Sequence, residues 1–298
     1  MNSKTDTSPK TSPSIPFDLQ NVGGVMRGKF PESFHCQVCG GQGYLLAENE
    51  RGISTLSDCE CAFLGRRLRL LNEAGIPGKF AATQLETYHP VHASQRLALR
   101  IAKDFVDDFG ETPQGLVFMG KPGLGKTHLA ASILKALILD KGVECRFVDF
   151  FQLLSDIRHG YSTGLSEQAI ITPYTNARVL VIDELAKGRN TDWEQTMLDQ
   201  IISNRYNAAD RVTLFTTNFT NEENRDRKNK GEDRERRIDP VQGVADRVAS
   251  GETLQERLGE RIYSRLMEMC RFVHLEGEDY RPNIVVRPAA KPRRKKSH

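Results

Sequence analysis

Gly120-Lys-Pro-Gly-Leu-Gly-Lys-Thr127 has the spacing G-x-x-x-x-G-K-[ST] of a phosphate-binding loop. The apolar run Leu116-Val-Phe-Met119 stands before it, and Ala130, Ala131, Ile133, Leu134, Leu137 and Ile138 follow at helical spacing. Strand, glycine-rich loop and helix in that order are the context such a loop requires. Gly120, Gly123 and Gly125 let the backbone curl until successive N–H groups face an anion. The helix that follows adds the favourable end of its dipole. Lys126 can reach the β- and γ-phosphates of a nucleotide, and the Thr127 hydroxyl can ligate Mg²⁺. The nucleotide-binding stretch is therefore expected to be Gly120, Lys121, Pro122, Gly123, Leu124, Gly125, Lys126, Thr127 and the adjoining His128.

A second element points to hydrolysis. Val179-Leu-Val-Ile182 is a short β-branched run of the kind buried on both faces of a parallel sheet, and it ends in Asp183-Glu184. An acid at the carboxyl end of such a strand lies where α/β sheets bind ligands. Asp183 is expected to join Thr127 in the Mg²⁺ shell, and Glu184 to polarise the attacking water. Leu214-Phe-Thr-Thr-Asn218 is another apolar strand with a polar end. The Asn218 amide would arrive beside the γ-phosphate, where it can hold the water and sense the terminal phosphate; otherwise it caps the next segment.

Six cysteines are present, four of them paired as Cys36-x-x-Cys39 and Cys59-x-Cys61. Four soft thiolates suit tetrahedral Zn²⁺. The 19 residues between the pairs are enough for a hairpin that brings them together, and Gly40, Gly41 and Gly43 let backbone amides turn toward sulfur. Cys145 and Cys270 sit in apolar runs and read as buried hydrophobes.

The net charge of +3 is unevenly spread. Removing Lys291, Arg293, Arg294, Lys295 and Lys296 leaves −2 for the rest. The basic end can bind phosphate backbones without sequence preference or simply keep the chain soluble. No apolar run reaches the roughly 18 residues of a membrane span, so no membrane partner is expected. The polar start lacks a signal-peptide segment, so the expected location is cytoplasmic.

Organisation follows from these pieces. Residues 1–32 read as a disordered tail. Residues 33–75 read as a zinc-binding module closed by a short basic helix near 63–71, with a turn and hinge at 75–78. Residues 76–287 read as the ATPase core, and 288–298 as a disordered basic tail. Within the core, helices are expected near 94–109, 126–141, 150–159, 192–208 and 253–270. Strands are expected at 116–119, 145–148, 179–182, 212–216 and 271–275. That alternation predicts an α/β fold, a parallel five-stranded sheet flanked by helices. The stretch 221–237 is nearly all charged and reads as a solvated loop.

The order Walker A, Leu-Val-Ile-Asp-Glu184, Phe-Thr-Thr-Asn218 and Glu260-Arg-Ile-Tyr-Ser-Arg265-Leu resembles the AAA+ ATPases of the DnaC/DnaI helicase-loader and IstB transposition-helper family, over about 77–281. The cysteine module is similar to the amino-terminal zinc region of DnaI-type loaders. The resemblance implies that Arg265 is an arginine finger projecting into a neighbour's ATP site, so that the chain self-associates through that site. It implies that Arg281 is a second sensor arginine acting in cis. It also implies that 151–176, with Arg158, His159, Tyr161 and Tyr174, touches single-stranded DNA. The implied activity is slow ATP hydrolysis, stimulated by DNA or partner, that switches the loading of a hexameric replicative helicase. ATP, Mg²⁺ and Zn²⁺ are the implied cofactors. The alternative is an IstB-like helper that selects target DNA for a transposase. A small-molecule P-loop kinase would need an apolar lid that 221–237 does not supply. An inert nucleotide site on a zinc interaction protein is at odds with intact Lys126, Thr127, Asp183 and Glu184.

Overall fold

The computed structural model describes residues 17–48, 54–110, 114–208, 210–221 and 252–279. Two hairpins come first, β1 (Asp18–Val22) with β2 (Val25–Lys29) and β3 (Tyr44–Glu48) with β4 (Ser54–Asp58). Helix α1 (Glu60–Glu73) follows, then a 3₁₀ turn at Gly78–Phe80 and α2 (Ala93–Asp107). The remainder runs β5 (Gly115–Met119), α3 (Lys126–Lys141), β6 (Cys145–Asp149), α4 (Phe150–Ser162), α5 (Glu167–Asn176), β7 (Val179–Asp183), α6 (Asp192–Tyr206), β8 (Val212–Thr217), α7 (Leu254–Leu258), α8 (Glu260–Met269) and β9 (Cys270–His274).

The expected parallel sheet is present, ordered β6-β7-β8-β5-β9 with every pair parallel. Side chains on a strand alternate between faces, and β5 shows what that does here. Leu116 and Phe118 pack into one apolar layer with α1, α2 and α3, while Val117 and Met119 pack into the other with α4 to α8. All five β5 residues are buried. The topology matters for the site: β8 lies between the strand that feeds the phosphate loop and the strand that ends in Asp183. Asn218, just past β8, is thereby delivered between the two.

Three expectations change. Residues 17–32 are not tail-like: Asp18–Lys29 is a hairpin whose Met26 is fully buried, and its Leu19 and the preceding Phe17 join the core layer. Gly23 and Gly24 both have positive φ, at 60° and 85°, the conformation that a two-residue hairpin loop needs.

The boundary near 75 falls inside a packed unit. Leu71, Ala74 and Ile76 are fully buried in the core layer, the Phe147 amide donates to Ala74 O at 2.7 Å, and Met26 N donates to Ile76 O at 2.7 Å. The 75–78 turn is thus pinned on both sides instead of acting as a hinge, and α1 is continuous with the core.

The single helix expected over 253–270 is two, α7 and α8. Gly259 separates them with φ 76° and ψ 158°, which no helix accommodates. Thr253 and Glu256 form a capping box that starts α7.

Residues 1–16, the charged loop from 222 on, Arg281 and the tail 288–298 lie outside the described residues. Among those described, no helix is long and apolar enough to cross a membrane.

Candidate nucleotide site and cysteine cluster

The phosphate loop joins β5 to α3 as expected, and Gly120, Gly123 and Gly125 all take positive φ, at 138°, 84° and 85°. Their second use was not visible in the sequence. A Cβ at Gly125 would collide with the Tyr88 ring, one at Gly120 with Leu275 O, and one at Gly123 with the Asp279 carboxylate. Neighbouring segments press on the outside of the loop, so the glycines serve close approach as well as curvature. Side chains cap the N-termini of α2, α4, α5, α6 and α7, from His92, Asp149, Ser166, Thr191 and Thr253. Helix α3 opens instead on Gly125 with no side-chain cap. Its first-turn amides are left to an incoming anion.

Lys126 is buried, and its ammonium donates to Gly120 O at 2.7 Å, to Lys121 O at 2.8 Å and to Asn218 Oδ1 at 2.8 Å. Thr127 Oγ1 donates to Asp183 Oδ1 at 2.8 Å. The same carboxylate oxygen accepts from Thr216 Oγ1 at 2.5 Å, and Thr216 in turn accepts from the Glu184 amide at 3.0 Å. Burial pushes the Asp183 carboxyl above the ordinary carboxylate range, and the two hydroxyls oppose that rise. Thr127 and Asp183 thus present adjacent oxygens, the arrangement that a hard, oxygen-seeking Mg²⁺ would bridge. Glu184 has φ 55° and pairs with Lys187. Neither Thr216 nor Lys187 stood out in the sequence; Thr216 lay within a stretch read for its last residue, and Lys187 lies in the loop after β7.

A cleft of about 500 Å³ contains this machinery. Lys126, Thr127, Glu184, Thr216 and Asn218 line one end. Beyond the loop residues 122–128 the cleft continues past Lys79, Phe80, Thr87, Tyr88, His89 and Gln95. The first five come from the segment between α1 and α2, which carries no local motif, and Gln95 from the first turn of α2. Tyr88 OH donates to Leu124 O at 2.9 Å, and His128 Nε2 lies 3.1 Å from Gln84 O. The segment is thereby fastened to the phosphate loop.

Other expected residues lie elsewhere. Arg265 does not line the cleft: it sits on α8, 2.5 Å from Asp199 Oδ1 of α6, with its guanidinium 5.9 Å from the centre of the Tyr206 ring. Arg158 is exposed and stacks on Trp193, and Tyr161 is exposed with its hydroxyl on Glu167. Tyr174 is buried and bonded to Asp156 at 2.6 Å, so it offers no face to a base.

Cys36, Cys39, Cys59 and Cys61 converge at the base of the β3–β4 hairpin, their sulfurs all within 4.8 Å of one another. Cys36 and Cys59 sulfurs are 3.7 Å apart, and Cys39 and Cys61 3.3 Å. Zinc–sulfur bonds of about 2.3 Å place tetrahedral sulfurs about 3.8 Å apart, so the four thiols fit that ion. The Gly43 amide donates to Cys39 Sγ at 3.2 Å and helps pull that thiol down to about 6, while the neighbouring Cys39 sulfur pushes Cys61 up to about 12 and Cys59 also rises, so the metal-free cluster holds its protons unequally.

The sheet order, the loop and the acid opposite it define a P-loop nucleotide-binding protein of the AAA+ type. A sequence profile described as IstB-like ATP binding protein matches residues 65–227, more than half of the chain, and the chain belongs to that family. It is 28% identical over 218 residues to YdaV of Escherichia coli K12, an uncharacterized protein, covering 73% of this chain and 75% of that one. It is 30% identical over 156 residues to the replicative helicase loader DnaC of the same organism, covering 52% of this chain and 63% of DnaC. The crystal structure of the DnaC helicase loader superimposes with a TM-score of 0.51 at 32% identity, across 66% of this chain and 99% of that one.

Proposed function

We propose that this protein is an ATP-hydrolysing loader that places a replicative ring helicase on single-stranded DNA. The observation that carries the reading is the likeness to the DnaC helicase loader across nearly all of that solved chain, joined to an intact loop-and-acid pair, Thr127 lining the cleft and Asp183 bonded behind it.

In this reading Lys126 exchanges its carbonyl partners for β- and γ-phosphate oxygens. Thr127 and Asp183 would hold Mg²⁺, which supplies charge neutralisation at the phosphates. Glu184 leaves Lys187 and takes the proton of the attacking water. Asn218 exchanges Lys126 for the water or the terminal phosphate, so that it reports whether that phosphate is present. Arg265 forks onto the phosphates of a neighbouring subunit, which makes self-association part of the site; Arg281 would act in cis. The cysteine module binds Zn²⁺ and presents the surface that grips the helicase. We assign 33–61 to that module, and 17–32 together with 62–287 to the core. The exposed part of α4, with Arg158 and His159, meets the DNA backbone. Differential affinity of the two nucleotide states for helicase and DNA does the switching.

The family description keeps a second reading in view, a transposase helper. A pull-down with tagged full-length protein, with and without non-hydrolysable ATP, separates them. Nucleotide-dependent recovery of a ring helicase is expected. Recovery of a transposase in its place would overturn the loader reading.

A further inference from the structure

We propose that Lys135, outside the phosphate machinery, is a positioning residue that sets the nucleoside end of the cleft. This deepens the nucleotide-site reading and rests on it.

The phosphates belong at the loop amides, Lys126 and Thr127. The base and ribose must then occupy the rest of the cleft, whose wall is Lys79, Phe80, Thr87, Tyr88 and His89. That wall hangs on an irregular stretch, and its first part is the turn at Gly78–Phe80. Lys135 projects from α3 onto this turn, about 2.5 helical turns beyond Lys126. Its Nζ donates to Ala81 O at 2.6 Å and to Thr83 O at 2.6 Å, and lies 3.5 Å from Phe80 O.

The side chain is 4% exposed, and its partners are main-chain carbonyls instead of a carboxylate. Burial pulls the amine down to about 8. A buried ammonium without an acid is an expensive way to fill space, and an apolar chain of similar volume would pack as well. What only an ammonium does is donate to several carbonyls at once. Three N–H directions fix the path of 80–83, and with it where the Phe80 ring and Lys79 stand. The other side of the turn is anchored independently, since Gly78 N donates to Gly24 O at 2.8 Å. Lys135 therefore controls the side of the turn that faces the nucleotide. Tyr88 and His128 add clasps farther along, at Leu124 O and Gln84 O.

The test compares two ligands on the full-length chain by titration calorimetry, ATP and inorganic tripolyphosphate, each with Mg²⁺. The loop holds both; the nucleoside wall holds only ATP. In Lys135→Met, ATP affinity is expected to fall roughly 10- to 100-fold. Tripolyphosphate affinity stays within about threefold and kcat at saturating ATP within about twofold, a loss in KM alone. Lys135→Arg, which keeps the donors, restores part of the ATP affinity. Should Lys135→Met fail to fold by circular dichroism, Lys135→Gln, with two donors on a shorter stem, carries the test and is expected to show the same split at smaller size. ATP and tripolyphosphate weakening together would mean a merely structural lysine and overturn the proposal, as would unchanged ATP affinity. Wild-type protein that binds neither ligand would remove the nucleotide site itself, an outcome distinct from either of these.

Discussion

Replacing Lys126 by Ala tests the site at its centre. All three N–H donors of the ammonium are engaged, at 2.7, 2.8 and 2.8 Å. ATP binding would redirect donors to the β- and γ-phosphates. Hydrogen bonds to charged groups contribute about 1.5–3 kcal/mol each, so two such contacts give about 3–6 kcal/mol. The internal bonds surrendered offset roughly 1 kcal/mol apiece. With two internal bonds surrendered, the net loss in Lys126→Ala is then about 1–4 kcal/mol, or roughly 5- to 1,000-fold in Kd. Titration of the full-length variant with Mg·ATP measures it, and a thermal melt separates lost affinity from lost fold. Lys121 is exposed, so water can replace the donor its carbonyl loses, whereas Gly120 is buried and its carbonyl is left short of a partner at a cost of about 1–3 kcal/mol. The melting temperature is therefore expected to fall by several degrees, at about 2–4 °C per kcal/mol in a domain of this size. A Kd within threefold of wild type, in a variant still folded at the titration temperature, would refute the assignment of this lysine to the phosphates.

Three other outcomes follow from the same geometry. Glu184→Gln keeps the shape of the side chain and gives up its basicity, so ATP binding should persist while single-turnover hydrolysis drops by about 10²–10⁴-fold; wild-type turnover would move the base elsewhere. Chelation of the metal should open residues 33–61 to protease while α1 beyond about residue 68 stays protected, because Leu71 and Ala74 are buried in the core; cleavage throughout the chain, or none, would contradict the module boundary. Mixing Arg265→Ala with Lys126→Ala protein should restore some ATPase activity, since each kind of subunit supplies what the other lacks, and finger arginines are worth about 10³–10⁵ in rate; no recovery in a confirmed mixed oligomer would mean that Arg265 does not act across subunits.

The parts of the site legible in the sequence are those whose chemistry is local. Gly120 to Thr127, Asp183 and Asn218 each follow a short apolar strand, and a parallel sheet carries all strand ends to one edge. What could not be read is what one segment does to another. Thr216 matters because β8 lies beside β7, and Lys135 because α3 lies against the turn at Gly78–Phe80. Some misses were readable. Val22-Gly-Gly-Val25 is a strong hairpin signal in a stretch whose prolines and polar residues suggested disorder. Gly259 interrupts an apolar period that continues in phase on both sides, so periodicity alone predicts one helix where the backbone makes two. Only the family resemblance puts Tyr174 beside DNA; its partner Asp156 lies 18 residues away on the preceding helix.

The loader reading implies a resting protein, and the contacts give a physical reason. Three groups assigned to hydrolysis are each satisfied within the chain: Lys126 by carbonyls and Asn218, Glu184 by Lys187, and Arg265 by Asp199. None can act without giving up a partner. The Lys126 exchange is driven by the phosphates. The other two pairs are partly exposed, so each is worth only about 0–1 kcal/mol and can be displaced by modest competition. In the proposed oligomer the competitor for Arg265 would be a neighbour's triphosphate, which carries more charge than the single carboxylate of Asp199. For Glu184 it is the field around Lys187, which stands 5.8 Å from the Phe151 ring at the start of α4, the helix that also carries Arg158 and His159. A polyanion drawn to α4 would compete for Lys187 and release Glu184. In the proposed loader, stimulation by DNA would then require no large rearrangement, only the transfer of one lysine from a carboxylate to a phosphate backbone.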